Sequence, residues 1–265
     1  MRIATWNVNS IRTRLDRVLA FLERSGTDVL AIQETKCRED QFPVEAFSAA
    51  GYEVAVSGYH QWNGVALVSR VGLEDVAASF ASQPTFGKPG TDPRVEARAL
   101  GATCGGVRVW SLYVPHGRTL TDPHYTYKLA WLEALRADAA SWLAEDAAAQ
   151  VALLGDWNVV PLDTDVWDAS AFAGHTHVSE PERAAFAAFV DAGYTEVTRE
   201  HLPAAHTYTY WDYQQLAFPR DKGLRIDFAY ASPALRDRVT GVQIDRDERR
   251  GKGASDHVPV VLDLA

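Results

Sequence analysis

Carboxylates, amides and one histidine stand where apolar runs of this chain start or stop: Asn7, Glu34, Asp156, Asn158, Asp227 and the pair Asp256-His257. The phenol of Tyr113 ends a further run. Carboxylates without cysteines select a hard, oxygen-liganded cation such as Mg²⁺ or Mn²⁺, and an Asp-paired histidine offers an oriented imidazole that can carry positive charge. Those parts suit attack by water on a phosphodiester, where positioning and charge neutralisation do most of the catalysis. Each group also has an ordinary reading. In Val-Ala-Leu-Leu-Gly-Asp156-Trp-Asn158 the apolar residues suit a strand buried on both faces, and taken alone its end reads as an Asx-type turn. A lone Glu34 after a strand is usually a surface residue, and Tyr113 serves equally as a core tyrosine. Recurrence outweighs these readings: strands from both ends of the chain carry polar ends, and α/β sheets bind ligands beyond strand ends.

The elements that must position these groups can be read in order. Residues 2–7 form a strand, and Leu15, Val18, Leu19 and Leu22 then give the stripe of a core-facing helix that Gly26 stops. A second apolar strand, 28–33, ends at Glu34, which makes one β-α-β unit. Strand-like runs follow at 52–57, 63–70, 95–103 and 107–114, with Gly105-Gly106 marking a hairpin, so this region reads as antiparallel sheet. Leu132, Leu135, Ala139, Trp142 and Leu143 mark a long helix over 123–147 that returns the chain to the strand before Asp156. Ser179-Glu-Pro-Glu182 has the form of a capping box, opening a helix that buries Phe186, Phe189 and Val190 and closes at Gly193. His175 and His177 precede it and read as a polar loop rather than metal ligands. In the last third, 224–230 is a strand carrying Asp227, and His257 leads a terminal strand to residue 264. An Asp inside an apolar run needs a partner, and a histidine is the obvious candidate.

Composition bounds the rest. The chain has 265 residues, nearly half of them apolar, and the Pro/Gly-rich patch at 83–93 reads as a surface loop, so one domain over 1–265 is expected. Cys37 and Cys104 cannot build a disulfide framework or a thiolate zinc site, which fits a reducing cytoplasm. Asn7 and Asn9 interrupt any signal-peptide core, and no apolar run reaches membrane-spanning length. A net charge of −9 argues against coating nucleic acid through bulk positive potential. The acids Glu133, Asp138, Glu145, Asp146, Glu180 and Glu182 read as solvated helix faces, as do the basic clusters at 12–17, 220–225 and 246–252.

Six segments in order, Trp6-Asn7-Val-Asn9-Ser-Ile-Arg, Gln33-Glu34-Thr-Lys36, Leu112-Tyr113-Val-Pro, Gly155-Asp156-Trp-Asn158, Gly223-Leu-Arg-Ile-Asp227 and Ser255-Asp256-His257-Val-Pro, resemble the exonuclease III branch of the endonuclease/exonuclease/phosphatase superfamily. The likeness runs essentially end to end. It implies a DNase-I-like four-layer α/β sandwich, two mixed sheets face to face with helices outside. It also implies a monomeric, Mg²⁺- or Mn²⁺-dependent apurinic/apyrimidinic endonuclease of base excision repair. Such an enzyme has 3′→5′ exonuclease and 3′-phosphatase activity on duplex DNA with abasic or 3′-blocked sites.

Carried over by position, Glu34 would hold the metal, with Asn9 and Asp256 near it. Asp156 would deprotonate the attacking water, and Asn7 and Asn158 would fix that carboxylate and the phosphate. His257, paired with Asp227 and assisted by Tyr113, would stabilise the transition state. Tyr210, Leu224 and Ile226 would line a pocket for a flipped, base-less sugar, which is cheapest to extrude because nothing is stacked on it. The sequence departs from the family at His116, where an amide is usual, at Tyr210, where Phe or Trp is common, and at Ser10, which replaces a common Gly. Two rivals stand beside this reading, of which the first shares these residues and the second should have lost carboxylates or the terminal histidine that are all present here. One is a phosphatase or phosphodiesterase of the same superfamily acting on inositol phosphates, lipids or nucleotides; the other is a catalytically silent DNA-binding module.

Overall fold

The computed structural model describes residues 1–87 and 90–265. Its strands are β1 (Arg2–Asn7), β2 (Val29–Gln33), β3 (Glu53–Ser57), β4 (Val65–Ser69), β5 (Glu74–Ala77), β6 (Thr85–Phe86), β7 (Arg94–Val95), β8 (Ala99–Cys104), β9 (Val107–Tyr113), β10 (Val151–Asp156), β11 (Thr195–Glu196), β12 (Asp227–Ala231), β13 (Val239–Ile244) and β14 (Val260–Leu264). Its α-helices are α1 (Ile11–Ser25), α2 (Val44–Ala49), α3 (Pro123–Glu145), α4 (Glu180–Asp191), α5 (Val197–His201) and α6 (Pro233–Arg236).

Two six-stranded sheets are ordered β13-β14-β1-β2-β4-β3 and β11-β12-β10-β9-β8-β5. At the centre of each lies a parallel pair, β1 with β2 and β9 with β10, flanked by antiparallel neighbours. A parallel pair needs a crossover, and α1 and α3 supply the two crossovers. The sheets are therefore mixed, as the family resemblance implies.

Period-two alternation sorts the side chains into layers. Ile3, Val29, Ala31 and Leu67 of one sheet meet Leu100, Val109, Ala152, Leu154 and Ala229 of the other in the central core. On the outer face of the first sheet, Trp6, Leu30 and Ile32 pack against Val18, Phe21 and Leu22 of α1. On the outer face of the second, Trp110, Leu153 and Tyr230 pack against Trp131, Leu132 and Leu135 of α3 and Phe186 and Phe189 of α4. Each Val, Leu, Ile or Phe among them, fully buried, contributes about 1.5–3 kcal/mol relative to exposure. The result is an α/β/β/α sandwich.

Several expectations change in detail. Leu15 and Leu19 only flank the α1 stripe, which Ile11, Val18, Phe21 and Leu22 fill. Residues 224–226 make only isolated bridges, so Asp227 begins its strand rather than sitting within it. The terminal strand starts at Val260, because Pro259 has no N–H to give a ladder. Val190 is 59% exposed, on the solvent side of α4. Within the expected loop at 83–93, Thr85–Phe86 pairs with Arg94–Val95 as a two-stranded ribbon, and residues 88–89 lie outside the described residues. Gly105 and Gly106 both take positive φ, as the two-residue hairpin requires. Both cysteines are buried and free. Among the described residues, no helix is long and apolar enough to cross a membrane.

Candidate active site

Strand parity carries polar side chains to one end of the central core. The inward row of β1 reads Ile3, Thr5, Asn7; that of β9 ends Ser111, Tyr113; that of β10 reads Ala152, Leu154, Asp156. Halfway along, Thr5, Gln33 and Ser111 satisfy one another across the two sheets, with Oγ–Oε1 3.1 Å and Nε2–Oγ 3.0 Å. At the open end the ladder register sets Asp156 beside Tyr113 on one side and Asp227 on the other. Gly155 precedes the acid because β10 runs so close to β9 that a Cβ there would sit 1.9 Å from the Leu112 carbonyl oxygen.

Asn7 ties the two sheets at this rim. Its Nδ2 donates to Glu34 Oε1 and to Asp156 Oδ2, each at 2.9 Å, so both protons of one amide hold the two acids. Asp156 Oδ1 accepts from the Asn158 backbone N–H at 3.0 Å. His257 Nδ1 lies 2.8 Å from Asp227 Oδ2, and its Nε2 lies 3.8 Å from Asp156 Oδ2. Burial, and next to it the carboxylates of Asp227 and Glu34, raise Asp156 to about 7 against the pull of His257 and Asn7. Burial works against charge on His257, but Asp227 and Asp156 outweigh it and push its pKa up to about 10. A buried base near neutrality beside a cationic imidazole is the division of labour that hydrolysis of an anion needs. The Tyr113 pKa is raised well above its usual value by burial and by Glu34, so the phenol keeps its proton.

Glu34 and Asn9 meet at Lys36, and Asp256 joins them through the Asn9 amide. The ammonium lies 2.6 Å from Glu34 Oε2 and 2.5 Å from Asn9 Oδ1, while Asn9 Nδ2 donates to Asp256 Oδ1 at 3.0 Å. A cation is thus already accommodated among oxygen donors of the kind Mg²⁺ takes, and those residues fit such an ion. Ligand atoms of Glu34, Asp156 and His257 also lie within 4.8 Å of one another. With His257 protonated, the two acids are the groups of that trio able to face a metal.

Several residues of this rim differ from the sequence expectation. Asn158 uses its side chain elsewhere than on Asp156: Nδ2 donates to the Val114 carbonyl at 3.0 Å, and Oδ1 lies 3.1 Å from His177 Nε2. His177, expected in a polar loop, is buried, and its ring meets that of His116 at 4.5 Å, whereas His175 is exposed. Glu182, expected on a solvated face, is fully buried and takes Lys128 Nζ at 2.5 Å; Lys128 also donates to the Asn158 carbonyl at 2.6 Å. Glu182 still serves its capping box, accepting from the Ser179 N–H at 3.2 Å. His116 Nδ1 accepts the Arg118 N–H at 3.0 Å, which leaves Nε2 as the protonated nitrogen at the cleft. Partial desolvation beside His177, together with the Lys128 charge, lowers the pKa of His116, whose side chain still reaches solvent, so it is a neutral donor where an amide is usual in the family.

Tyr210, Leu224 and Ile226 line the same cleft of about 370 Å³, joined by Trp167 and Phe172. The Tyr210 ring stands 4.8 Å from that of His257, with its hydroxyl turned toward Asp212. Trp167 carries Lys222 over its face at 4.1 Å. The basic clusters are largely consumed inside the molecule. Arg17 pairs with Glu248, Arg246 pairs with Asp221, Arg249 donates to the Trp211 carbonyl, and Arg225 is fully buried, donating to the Leu202 carbonyl.

Residues 4–257 match the model of the endonuclease/exonuclease/phosphatase family. The chain is 28% identical over 269 residues to exodeoxyribonuclease III of Haemophilus influenzae, covering 98% of each. Among solved structures it is similar to an AP endonuclease from Archaeoglobus fulgidus, with TM-score 0.92, 34% identity and coverage of 100% of this chain and 99% of that one. It matches equally the 3′ phosphatase NExo from Neisseria bound to a product DNA hairpin, at TM-score 0.92, 34% identity and the same coverage.

Proposed function

The chain belongs to the endonuclease/exonuclease/phosphatase family, in its exonuclease III and AP endonuclease branch, and we propose that it hydrolyses phosphate esters of duplex DNA at abasic and 3′-blocked sites. It is a nuclease by descent. The observation that supports the assignment of roles is the meeting of Asp156, Glu34 and His257 within 4.8 Å in the cleft that Tyr210, Leu224 and Ile226 also line.

In this reading Asp156, held by Asn7, takes the proton of the attacking water. His257, kept cationic by Asp227, donates from Nε2 to a non-bridging phosphate oxygen, with the Tyr113 hydroxyl beside it. Glu34 with Asn9 and Asp256 would hold Mg²⁺, which would neutralise phosphate charge when bound. Tyr210, Leu224 and Ile226 would receive a sugar with no base, and the Nε2–H of His116 would bond phosphate. A monomer acting in the cytoplasm belongs to the same proposal.

The test is a substrate panel: an abasic duplex, an intact duplex, a duplex ending in 3′ phosphate and an inositol phosphate, each with Mg²⁺, Mn²⁺ or chelator. Metal-dependent cleavage of the damaged duplexes is expected. Hydrolysis of the inositol phosphate without cleavage of any DNA would overturn the reading in favour of the other phosphatases of the superfamily.

A further inference from the structure

Two non-glycine residues with left-handed backbone meet behind the reacting groups, Asn158 at φ +50° and His177 at φ +79°. Such conformations persist where the surroundings over-determine them. The surroundings here are specific. His177 is pinned at its backbone on both sides, its N–H to Glu182 Oε1 at 2.9 Å and its carbonyl to the Val160 N–H at 2.8 Å. Glu182 also holds Lys128, which donates to the Asn158 carbonyl. One buried carboxylate therefore fixes both partners.

Proton accounting sets the direction of the contact between them. An amide oxygen can only accept, so His177 Nε2, 3.1 Å from Asn158 Oδ1, carries a proton. Burial holds the His177 pKa well below its usual value, so the ring is neutral and Nδ1, 3.1 Å from the Thr176 hydroxyl, is left to accept. Turning the Asn158 amide over would set its NH₂ against Nε2–H and its oxygen against the Val114 carbonyl, leaving two like pairs unsatisfied. In the observed arrangement one Nδ2 proton goes to Val114 and the other is left for the cleft that Asn158 lines.

We propose that His177 is a positioning residue: its Nε2–H fixes which edge of the Asn158 amide faces the scissile phosphate, with the buried Lys128–Glu182 pair holding the two residues in register. The orientation follows from the network alone; the phosphate as its target rests on the nuclease reading above.

The test combines turnover on a 3′-blocked or abasic duplex with NMR of the substrate-free protein. His177→Leu should lower kcat on the order of 10–100-fold, the range typical when the group orienting an active-site residue is lost, with KM changed little. His177→Gln, which keeps a donor near the Nε2 position, should recover most of that loss. In an Asn158→Ala background His177→Leu should add nothing, because it acts through the amide. Without substrate, the Asn158 side-chain amide resonances should shift or broaden in His177→Leu. Wild-type kcat in His177→Leu, full additivity with Asn158→Ala, or unmoved amide resonances each overturn the proposal. Should His177→Leu fail to fold, the imidazole nitrogen shifts of the wild type decide, and an Nδ1–H tautomer overturns it. If the amide responds as expected while the wild type cleaves no DNA, the positioning stands and the nuclease reading falls.

Discussion

His257 Nδ1 lies 2.8 Å from Asp227 Oδ2, and this bond joins the two sheets, since Asp227 opens β12 in one and His257 leads into β14 in the other. It also fixes the orientation of the ring, so that Nε2 is the nitrogen turned to Asp156 and the cleft. Charge at the rim is therefore set by contacts made far from any local motif.

The pH dependence follows with its sign. Asp156 acts only as a carboxylate, so kcat/KM rises as pH passes its pKa of about 7, and His257 acts only as a cation, so the rate falls as pH passes about 10. The two groups titrate as a pair, and a divalent cation beside Glu34 moves the acid limb below 7 by favouring the carboxylate. Asp227 raises both pKa values, so Asp227→Asn should move both limbs to lower pH. A pH–rate profile at fixed Mg²⁺ reads both, and an unmoved alkaline limb would contradict the pairing.

Removing either central acid should separate chemistry from binding. Asp156→Asn and Glu34→Gln are expected to lower kcat by roughly 10³-fold, within the span of general-base and metal contributions, while duplex affinity in chelator changes little. Single-turnover assays with a parallel binding titration check this. Near-normal turnover of either variant in Mg²⁺ would refute the assigned roles.

Stability should distinguish two acids that look alike in sequence. Glu182 is buried against Lys128, and breaking that pair with Lys128→Met should cost about 3–5 kcal/mol by leaving a buried charge without its cationic partner. Glu133, 64% exposed and paired with Arg136, should lose less than about 1 kcal/mol as Glu133→Ala. Urea melts of both variants, with unchanged m-values, supply the comparison.

Binding should depend only shallowly on salt. The chain carries a net −9, and Arg17, Arg24, Arg225 and Arg246 are committed to partners inside the molecule. Each neutralised phosphate contributes about 0.9 to the slope of log K against log salt, so a slope of magnitude about 2–4 is expected in chelator. A slope of about 8 or more would mean that phosphates are contacted well beyond this rim.

Ser10, where the family commonly has glycine, sits at φ +93° ahead of α1 without a side-chain capping bond. Ser10→Gly should therefore stabilise the protein by about 1 kcal/mol, measurable as a rise in melting temperature. A fall would show that the serine makes a compensating contact.

Much of this site is local information. Asn7, Asp156 and Tyr113 close inward-facing rows whose parity is written in their own strands, and each is visible from the sequence because apolar alternation breaks there. The Asp227–His257 pairing was legible too, since a carboxylate among apolar residues demands a cationic or donor partner. What only the tertiary structure decided is burial set by distant chain. Glu182 and Arg225 look like solvated charges until Lys128 and the Leu202 carbonyl meet them, and Val190 looks like core until α4 turns it outward. His177 stands in a loop with no periodicity to classify it, and becomes a site residue only because Asn158, 19 positions earlier, is folded against its Nε2. Strand parity is a property of neighbours in sequence, whereas desolvation and hydrogen-bond pairing depend on which elements are brought together, and no single segment encodes that.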